Sequence, residues 1–180
     1  MIKWLLVFIL AAQPLHALRR RDDNELDAGK LRRASANIQQ LLFGQAILRE
    51  AKRYLGQPYQ WGGKNPDEGF DCSGYTQYVF KTFGVELPTN ALGQYQKGIS
   101  MEKPALMPGD LVFFTSTSAP LHVGIYAGEG FFFHAPATGK VICEESMKKG
   151  YFSNHYVGAR RYAPGSPSFK SPTTQKEKQP

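Results

Sequence analysis

Cysteine is scarce in this chain: Cys72 and Cys143 are the only two among 180 residues. Two thiols cannot staple a disulfide mini-fold or fill a four-thiolate zinc site. Long apolar runs are also missing. The run at the start, Trp4 to Ala12, is nine residues, too short for a comfortable membrane span. There is no helical pair of histidines with a glutamate between them, and no internal repeat. What is present suits a folded domain. The apolar share is 42% and the charged share 21%, which excludes a wholly disordered chain. The length fits one domain with short appendages. Lys and Arg number 22 against 15 Asp and Glu, a net charge of +7. That excess sits in Arg19–Arg21, Lys30–Arg33, Lys148–Lys149 and the C-terminal tail. Such flanks are usually solvated, and they could also favour an anionic envelope. No basic residues alternate with the aromatics, so a nucleic-acid stacking platform is not expected.

The ends differ from the middle. Lys3, the apolar run and the stretch Gln13–Ala17 read as an export signal with a cut after Ala17. Arg19–Arg21 follow at once, which keeps an uncleaved interfacial anchor as the competing reading. Removing residues 1–17 takes away Lys3 alone and lowers the charge by one, to +6. No membrane span is then expected. Residues 18–43 carry Leu26, Leu31, Ala34, Ile38, Leu41 and Leu42 at nearly helical spacing, a helical lead-in. Residues 163–180 are rich in Pro, Ser, Thr, Lys and Gln and predict a disordered tail. The dense domain is residues 44–162.

Within it, Gln45–Leu55 has helical spacing and stops at Gly56 and Pro58. Cys72–Phe83 predicts a second helix, with Tyr75, Val79, Phe80 and Phe83 on one face and Asp71 or Ser73 as cap. A short helix fits Ala91–Lys97. After Pro108-Gly109 come five segments rich in Val, Ile, Phe and Tyr: Asp110–Thr115, Leu121–Ala127, Gly130–Ala135, Lys140–Glu144 and Tyr156–Tyr162. Helices followed by strands imply an α+β fold with an antiparallel sheet.

Cys72 falls in the first turn of the second helix. Unpaired N–H groups and the helix dipole there favour a thiolate and predict a lowered pKa, the usual way to activate a nucleophilic cysteine. A buried inert thiol is the alternative fate. His122 and His134 lie in adjacent apolar strands. A three-residue loop Ala127-Gly128-Glu129 with Tyr126 opposite Gly130 makes His122 face His134 directly, on one side of the sheet. Two imidazoles in such strands are costly unless used or satisfied. A zinc site of Cys72 and the two histidines lacks a suitably spaced fourth ligand, so no metal and no cofactor is expected. The better reading is a triad. Cys72 attacks a carbonyl, His122 exchanges the proton, and His134 fixes the His122 tautomer. The Cys72 backbone N–H is a ready oxyanion donor. Cys143 reads as a small apolar strand residue with a free thiol. Trp61 and Phe131–Phe133 read as core and cleft wall.

Taken together, Pro58-Tyr59-Gln60-Trp61-Gly62-Gly63, Asp71-Cys72-Ser73-Gly74, Leu87-Pro88, Pro108-Gly109-Asp110-Leu111, His122-Val123-Gly124-Ile125-Tyr126 and His134-Ala135 resemble, in order, the motifs of the NlpC-type cell-wall peptidases. The resemblance covers nearly all of residues 44–162. It implies a papain-like α+β fold and hydrolysis of amide bonds in peptidoglycan stem or cross-link peptides, either D-Glu–diaminopimelate or D-Ala–diaminopimelate. It implies Cys72 as nucleophile, His122 as base and His134 as orienting residue, with Tyr59, Asp71 and Ser73 lining the substrate cleft. The segment from Tyr151-Phe152 to Ala159-Arg160-Arg161 is similar to that of exported enterobacterial murein endopeptidases. The signal segment implies an exported protein of the periplasm or exterior, and a monomer is expected. Thr89 and Asn90 depart from it, because many members carry a basic residue after Leu-Pro. Circularly permuted relatives, acyltransferases among them, place His before Cys, unlike the order here. A catalytically inactive wall-binding scaffold and a toxin-like effector of the same fold are the competing functions.

Overall fold

A computed structural model of the chain describes residues 15–117 and 119–163, with side chains from residue 27 onward. The expected signal segment up to Pro14 and the tail from residue 164 lie outside the described residues. The chain divides into two units, residues 1–38 and 39–180. No helix among the described residues is long and apolar enough to cross a membrane.

Helix α1 runs over Leu15–Lys52, so the lead-in and the first expected helix are one element and Gly44 does not break it. Gly44 has a packing reason to be glycine. An added Cβ would overlap the carbonyl of Pro108, and Gly109 stands against the bare Gly44 Cα. The helix stops at Lys52 rather than Leu55, because Arg53–Leu55 close tighter turns onto Glu50, Ala51 and Lys52 carbonyls. The turn-rich stretch that follows contains a two-stranded ribbon, β1 (Lys64–Asn65) and β2 (Gly69–Phe70), too short to show a period in the sequence.

Helix α2 covers Cys72–Lys81 and α3 covers Ala91–Lys97. Four predicted strands appear close to their expected places, β4 (Leu111–Phe114), β5 (His122–Gly128), β6 (Phe131–His134) and β8 (Tyr156–Arg161), and the fifth, β7 (Cys143–Ser146), is displaced towards the C-terminus from Lys140–Glu144. The sequence reading missed β3 (Ile99–Met101), which pairs only at the sheet edge with β8, and the single turn of α4 (Tyr151–Asn154). The six strands form one antiparallel sheet in the order β3-β8-β4-β5-β6-β7. The architecture is α+β, as expected.

The side chains of β4 are buried on both faces, which accounts for its unbroken run Leu-Val-Phe-Phe. One face joins the main core, where Leu111, Phe113, Val123, Ile125 and Phe133 pack with Tyr75, Val79 and Phe80 of α2. The other carries a smaller cluster of Val112, Phe114, Phe132, Met147 and Ala159, with Phe152 and Tyr156 packed on it. Burial of each such side chain contributes about 1.5–3 kcal/mol.

One charge is fully buried in this frame. Asp110 has no solvent exposure and takes two bonds from the Arg161 guanidinium, Nε to Oδ1 and Nη2 to Oδ2, both 2.7 Å. Its Oδ2 also accepts from the Met107 N–H at 2.8 Å. The pair fastens the Pro108-Gly109 turn to β8. Because removing one partner strands the other, Asp110→Ala is expected to cost about 3–5 kcal/mol of stability. Urea unfolding measures this, and a cost below about 1 kcal/mol, the range of a surface pair, would show that the pair is not an anchor.

Candidate active site

The cleft is built first from the start of α2. Asp71 has extended backbone (φ −87°, ψ 175°) and caps the helix through Oδ1, which accepts from the Gly74 N–H at 2.6 Å. The same oxygen accepts from Ser73 Oγ at 3.0 Å, and Oδ2 accepts from the Gly62 N–H at 3.1 Å. The Asp71 N–H donates to the Gly63 carbonyl at 3.0 Å. One carboxylate thus ties the helix start to the Gly62-Gly63 turn. Gly74 permits that approach, since a Cβ there would overlap the Gly63 carbonyl oxygen.

A buried amide fixes the opposite wall. Gln94 accepts from Thr76 Oγ1 at 2.8 Å and donates to the carbonyls of Ser73 (3.1 Å) and Pro88 (3.0 Å). Its own carbonyl accepts from Tyr162 Oη at 2.6 Å. The sequence reading passed over Gln94, and a Gln in a seven-residue helix gives no signal of such a role. Asn90 caps α3 by accepting from the Gly93 N–H at 2.8 Å.

These elements enclose a cavity of about 370 Å³. Tyr59, Asp71, Cys72, Ser73 and His122 all line it, so five of the six site residues named from sequence come together there. Thr89 and Asn90, marked as departures in the sequence, also stand on its wall. Trp61 lines it too and is 65% exposed, so it is a cleft residue and no part of the core. The loop 119–121 completes the rim, and the sequence had not singled it out.

His134, the sixth residue, stands behind His122. His122 Nε2 and His134 Nδ1 are 2.7 Å apart. The two imidazoles do meet, but by a route different from the one expected. The hairpin loop is the two-residue Glu129-Gly130, both with positive φ (50° and 76°), and Gly128 pairs Phe131. That loop alone would send the two histidines to opposite faces. A bulge between Tyr126 and Gly128 adds one residue to β5 and restores the common face. Ile125 pairs Phe133 and Tyr126 pairs Phe132, so His122 lies diagonal to His134 and not directly opposite it. Long side chains reach across such a diagonal.

Burial dominates the electrostatics. Cys72 is pushed up to about 11, first by burial and then by the Asp71 charge, although backbone N–H groups at Val123, Ser73 and Cys72 itself oppose the rise. The lowered thiol pKa expected from the helix dipole alone is therefore not what the site holds at rest, because desolvation outweighs the dipole. Burial takes His122 down to about 4. It takes His134 down to about 3, helped by the nearby His122 and Lys140 charges. Phe132 and Phe152 supply that dry surrounding, with ring centroids 4.8 and 5.1 Å from His134. Phe152 is a site residue that sequence spacing did not reveal. Tyr59 is raised by burial and by the Cys72 and Asp71 charges, so its hydroxyl keeps its proton. The resting pair is a neutral thiol beside a neutral imidazole. Moving the proton from Cys72 to His122 creates two opposite charges together, which offset one another where a lone charge would not.

Cys143 is half-buried and free, as expected. It is not a bland strand residue, however. It pairs directly with His134 across β6 and β7, and its Sγ lies 3.8 Å from His134 Nε2.

A cysteine at a helix start, set against an antiparallel sheet that carries its histidines, is the papain-like arrangement. Residues 56–161 match the NlpC/P60 family, and the chain belongs to that family. It is similar to the gamma-DL-glutamyl hydrolase of Bacillus subtilis (strain 168), with 37% identity over 135 residues, 73% of this chain and 33% of that protein. It is similar to murein DD-endopeptidase MepH of Escherichia coli (strain K12), with 39% identity over 122 residues, 65% of this chain and 45% of that one. The chain thus spans about a third to a half of the length of these curated relatives. Among solved structures, the NlpC/p60 domain of the peptidoglycan hydrolase SagA superposes with a TM-score of 0.58 at 35% identity, covering 66% of this chain and 98% of that one. An NlpC/P60 family protein from Bacillus cereus ATCC 10987 gives 0.63 at 32% identity, covering 67% and 40%.

The two desolvated imidazoles, His134 buried and His122 partly so, set a pH dependence. Both folded values lie below the unfolded value of about 6.5, so the unfolded chain binds more protons as pH falls through 6.5. Stability is therefore lost on acidification from about 6.5 towards 4. His134→Gln removes one of the two groups and should flatten the decline of Tm over that interval. Equal slopes for His134→Gln and wild type would contradict the burial of His134.

Proposed function

We propose that the protein is an exported cysteine endopeptidase that cleaves amide bonds in peptidoglycan peptides. The observation that carries the reading is the joint placement of Cys72 and His122 on one cavity with His134 bonded behind His122. The relatives named for murein and gamma-DL-glutamyl hydrolysis supply the substrate class.

In this reading Cys72 Sγ attacks the carbonyl carbon while its proton passes to His122. Nε2 of His122 is engaged with His134, which leaves Nδ1 as the accepting nitrogen. His122 must then carry its resting proton on Nε2 and donate it to His134 Nδ1, and His134 must carry its own on Nε2. The tetrahedral oxyanion is met by the Cys72 backbone N–H and the protonated Tyr59 hydroxyl. His122 returns the proton to the leaving amine. Water then attacks the thioester, giving up a proton to His122 that is passed back to the Cys72 sulfur. Asp71 and Ser73 hold the helix start and the cleft wall in place.

The proposed organisation is a signal over 1–17, a helical lead-in over 18–43, a hydrolase domain over 44–162 and a tail over 163–180. The proposed location is the periplasm or the exterior, and the proposed state is a monomer.

Digestion of purified sacculi tests this. Wild type should release muropeptides whose masses place the cut either at D-Glu–diaminopimelate or at D-Ala–diaminopimelate. Cys72→Ala should reduce release at least about 1,000-fold, the scale of losing a nucleophile. Equal release by wild type and Cys72→Ala would remove Cys72 from the chemistry. Intact sacculi after wild-type treatment, with binding retained, would instead favour a wall-binding scaffold.

A further inference from the structure

Beyond the cleft, the far side of His134 faces a second group of donor atoms. Strand β7 presents Cys143 and Glu145 two residues apart, hence on one side of the sheet, and Cys143 is the direct partner of His134. One ligand atom from each of His134, Cys143 and Glu145 lies within 4.8 Å of the other two. One of these contacts, Cys143 Sγ to His134 Nε2, is 3.8 Å. Zinc–sulfur and zinc–nitrogen bonds of ordinary length, about 2.3 and 2.0–2.1 Å, span about 3.6 Å at a tetrahedral angle. The third donor sits on an exposed glutamate, whose carboxylate is not locked in place by burial. A cavity of about 350 Å³, lined by Pro136, Gly139, Lys140, Val141, Cys143 and Glu145, gives a route from solvent.

We propose that His134 Nε2, Cys143 Sγ and the Glu145 carboxylate form a divalent-metal site of zinc type that switches off the neighbouring Cys72–His122 pair. The switching part rests on the hydrolase reading above. The binding part does not.

The donor set suits a borderline-soft ion: a thiolate, an imidazole and one carboxylate, with a fourth position left for water. Lys140 lines the same cavity, and its charge lowers the affinity for a cation. The switch follows from proton accounting. Without metal, His134 holds its proton on Nε2 and accepts at Nδ1 from His122 Nε2. A metal on His134 Nε2 requires that nitrogen to be bare, so the His134 proton must sit on Nδ1. Across 2.7 Å that N–H can only be a donor, so His122 Nε2 becomes the acceptor. The His122 proton then moves to Nδ1, the nitrogen that should receive the Cys72 proton. Each imidazole still carries one proton, and the thiol proton of Cys143 is released to solvent. The base is thus held in the wrong tautomer without any change in its net charge.

The test uses the full chain carrying Cys72→Ser, so that Cys143 is its one thiol, titrated with Co²⁺ and then with Zn²⁺. A thiolate-to-cobalt absorption band should appear with one-to-one stoichiometry and be displaced by zinc. The band should vanish in the Cys72→Ser, Cys143→Ala protein. Glu145→Gln, at an exposed position that does not threaten folding, should weaken binding roughly 10-fold or more, the scale of losing a ligand-shell partner. A band that survives Cys143→Ala, no band at all, or an affinity unchanged by Glu145→Gln would overturn the site. For the switch, sacculus digestion is compared with and without Zn²⁺ for each protein against itself. Wild type should be inhibited at zinc concentrations roughly 10-fold below those that inhibit Glu145→Gln, matching the affinity loss. Equal sensitivity would overturn the switch, because zinc would then be acting at Cys72 directly. If metal-free wild type fails to cleave, the hydrolase reading fails, and the cobalt titration still decides the metal site.

Discussion

The 2.7 Å contact between His122 and His134 depends on the residue that β5 carries in excess of β6. Strand side chains alternate with a period of two, so a hairpin has only two outcomes for a pair of residues in neighbouring strands: one face or opposite faces. The two-residue loop at Glu129-Gly130 selects opposite faces, and the bulge between Tyr126 and Gly128 reverses that choice. The imidazoles then share the side of the sheet that holds Phe114 and Phe132. The regular pairing of β6 with β7 extends the same side to Cys143 and Glu145. The proton chain and the donor atoms at its far end therefore follow from one local irregularity.

The two halves of the cleft are held by different physics. On the helix side the restraint is polar and directional. Asp71 accepts three hydrogen bonds, and Gln94 joins α3 to the first turn of α2 and to Pro88. Buried polar groups of this kind tolerate few alternative arrangements, because an unmet donor or acceptor costs about 1–3 kcal/mol. On the sheet side the restraint is aromatic packing around His134, which keeps it from water and suppresses isolated charge. Desolvation outweighs the backbone N–H groups that favour a thiolate, so none stands at rest. In the proposed reaction the nucleophile is instead generated together with its counter-charge, at the junction of the two.

Much of this was readable in the chain. The helix over Cys72–Lys81 followed from apolar spacing and an Asp cap, and the five strands after Pro108 from short β-branched and aromatic segments between Gly and Pro. Cys72, His122, Tyr59, Asp71 and Ser73 share one cavity, as their motifs implied. What escaped the sequence is mostly non-local or small. Spacing cannot distinguish a three-residue loop from a two-residue loop with a bulge, although the two give different registers. Edge strand β3 needs its partner β8 to exist. Phe152 and Gln94 act through distant contacts that no local pattern records. The helix dipole at Cys72 is visible in sequence, whereas the desolvation that raises its pKa is not. Cys143 looked inert because its partner, His134, is nine residues away in the chain and directly across the ladder in space.

That partnership bears on how a histidine pair differs from a histidine–carboxylate pair. A carboxylate behind the base only accepts, so it imposes one direction on the proton. An imidazole can donate or accept at the same nitrogen, so His134 fixes the tautomer of His122 only if its own tautomer is fixed from the other side. Here that outer restraint has few sources. The group facing His134 Nε2 is Cys143 at 3.8 Å, a long and soft contact. The direction of the proton chain is consequently weakly held at its outer end, and any ligand that engages Nε2 more strongly than a thiol does will set it. If the proposed triad operates, this composition makes it controllable from outside the cleft, at the sheet edge.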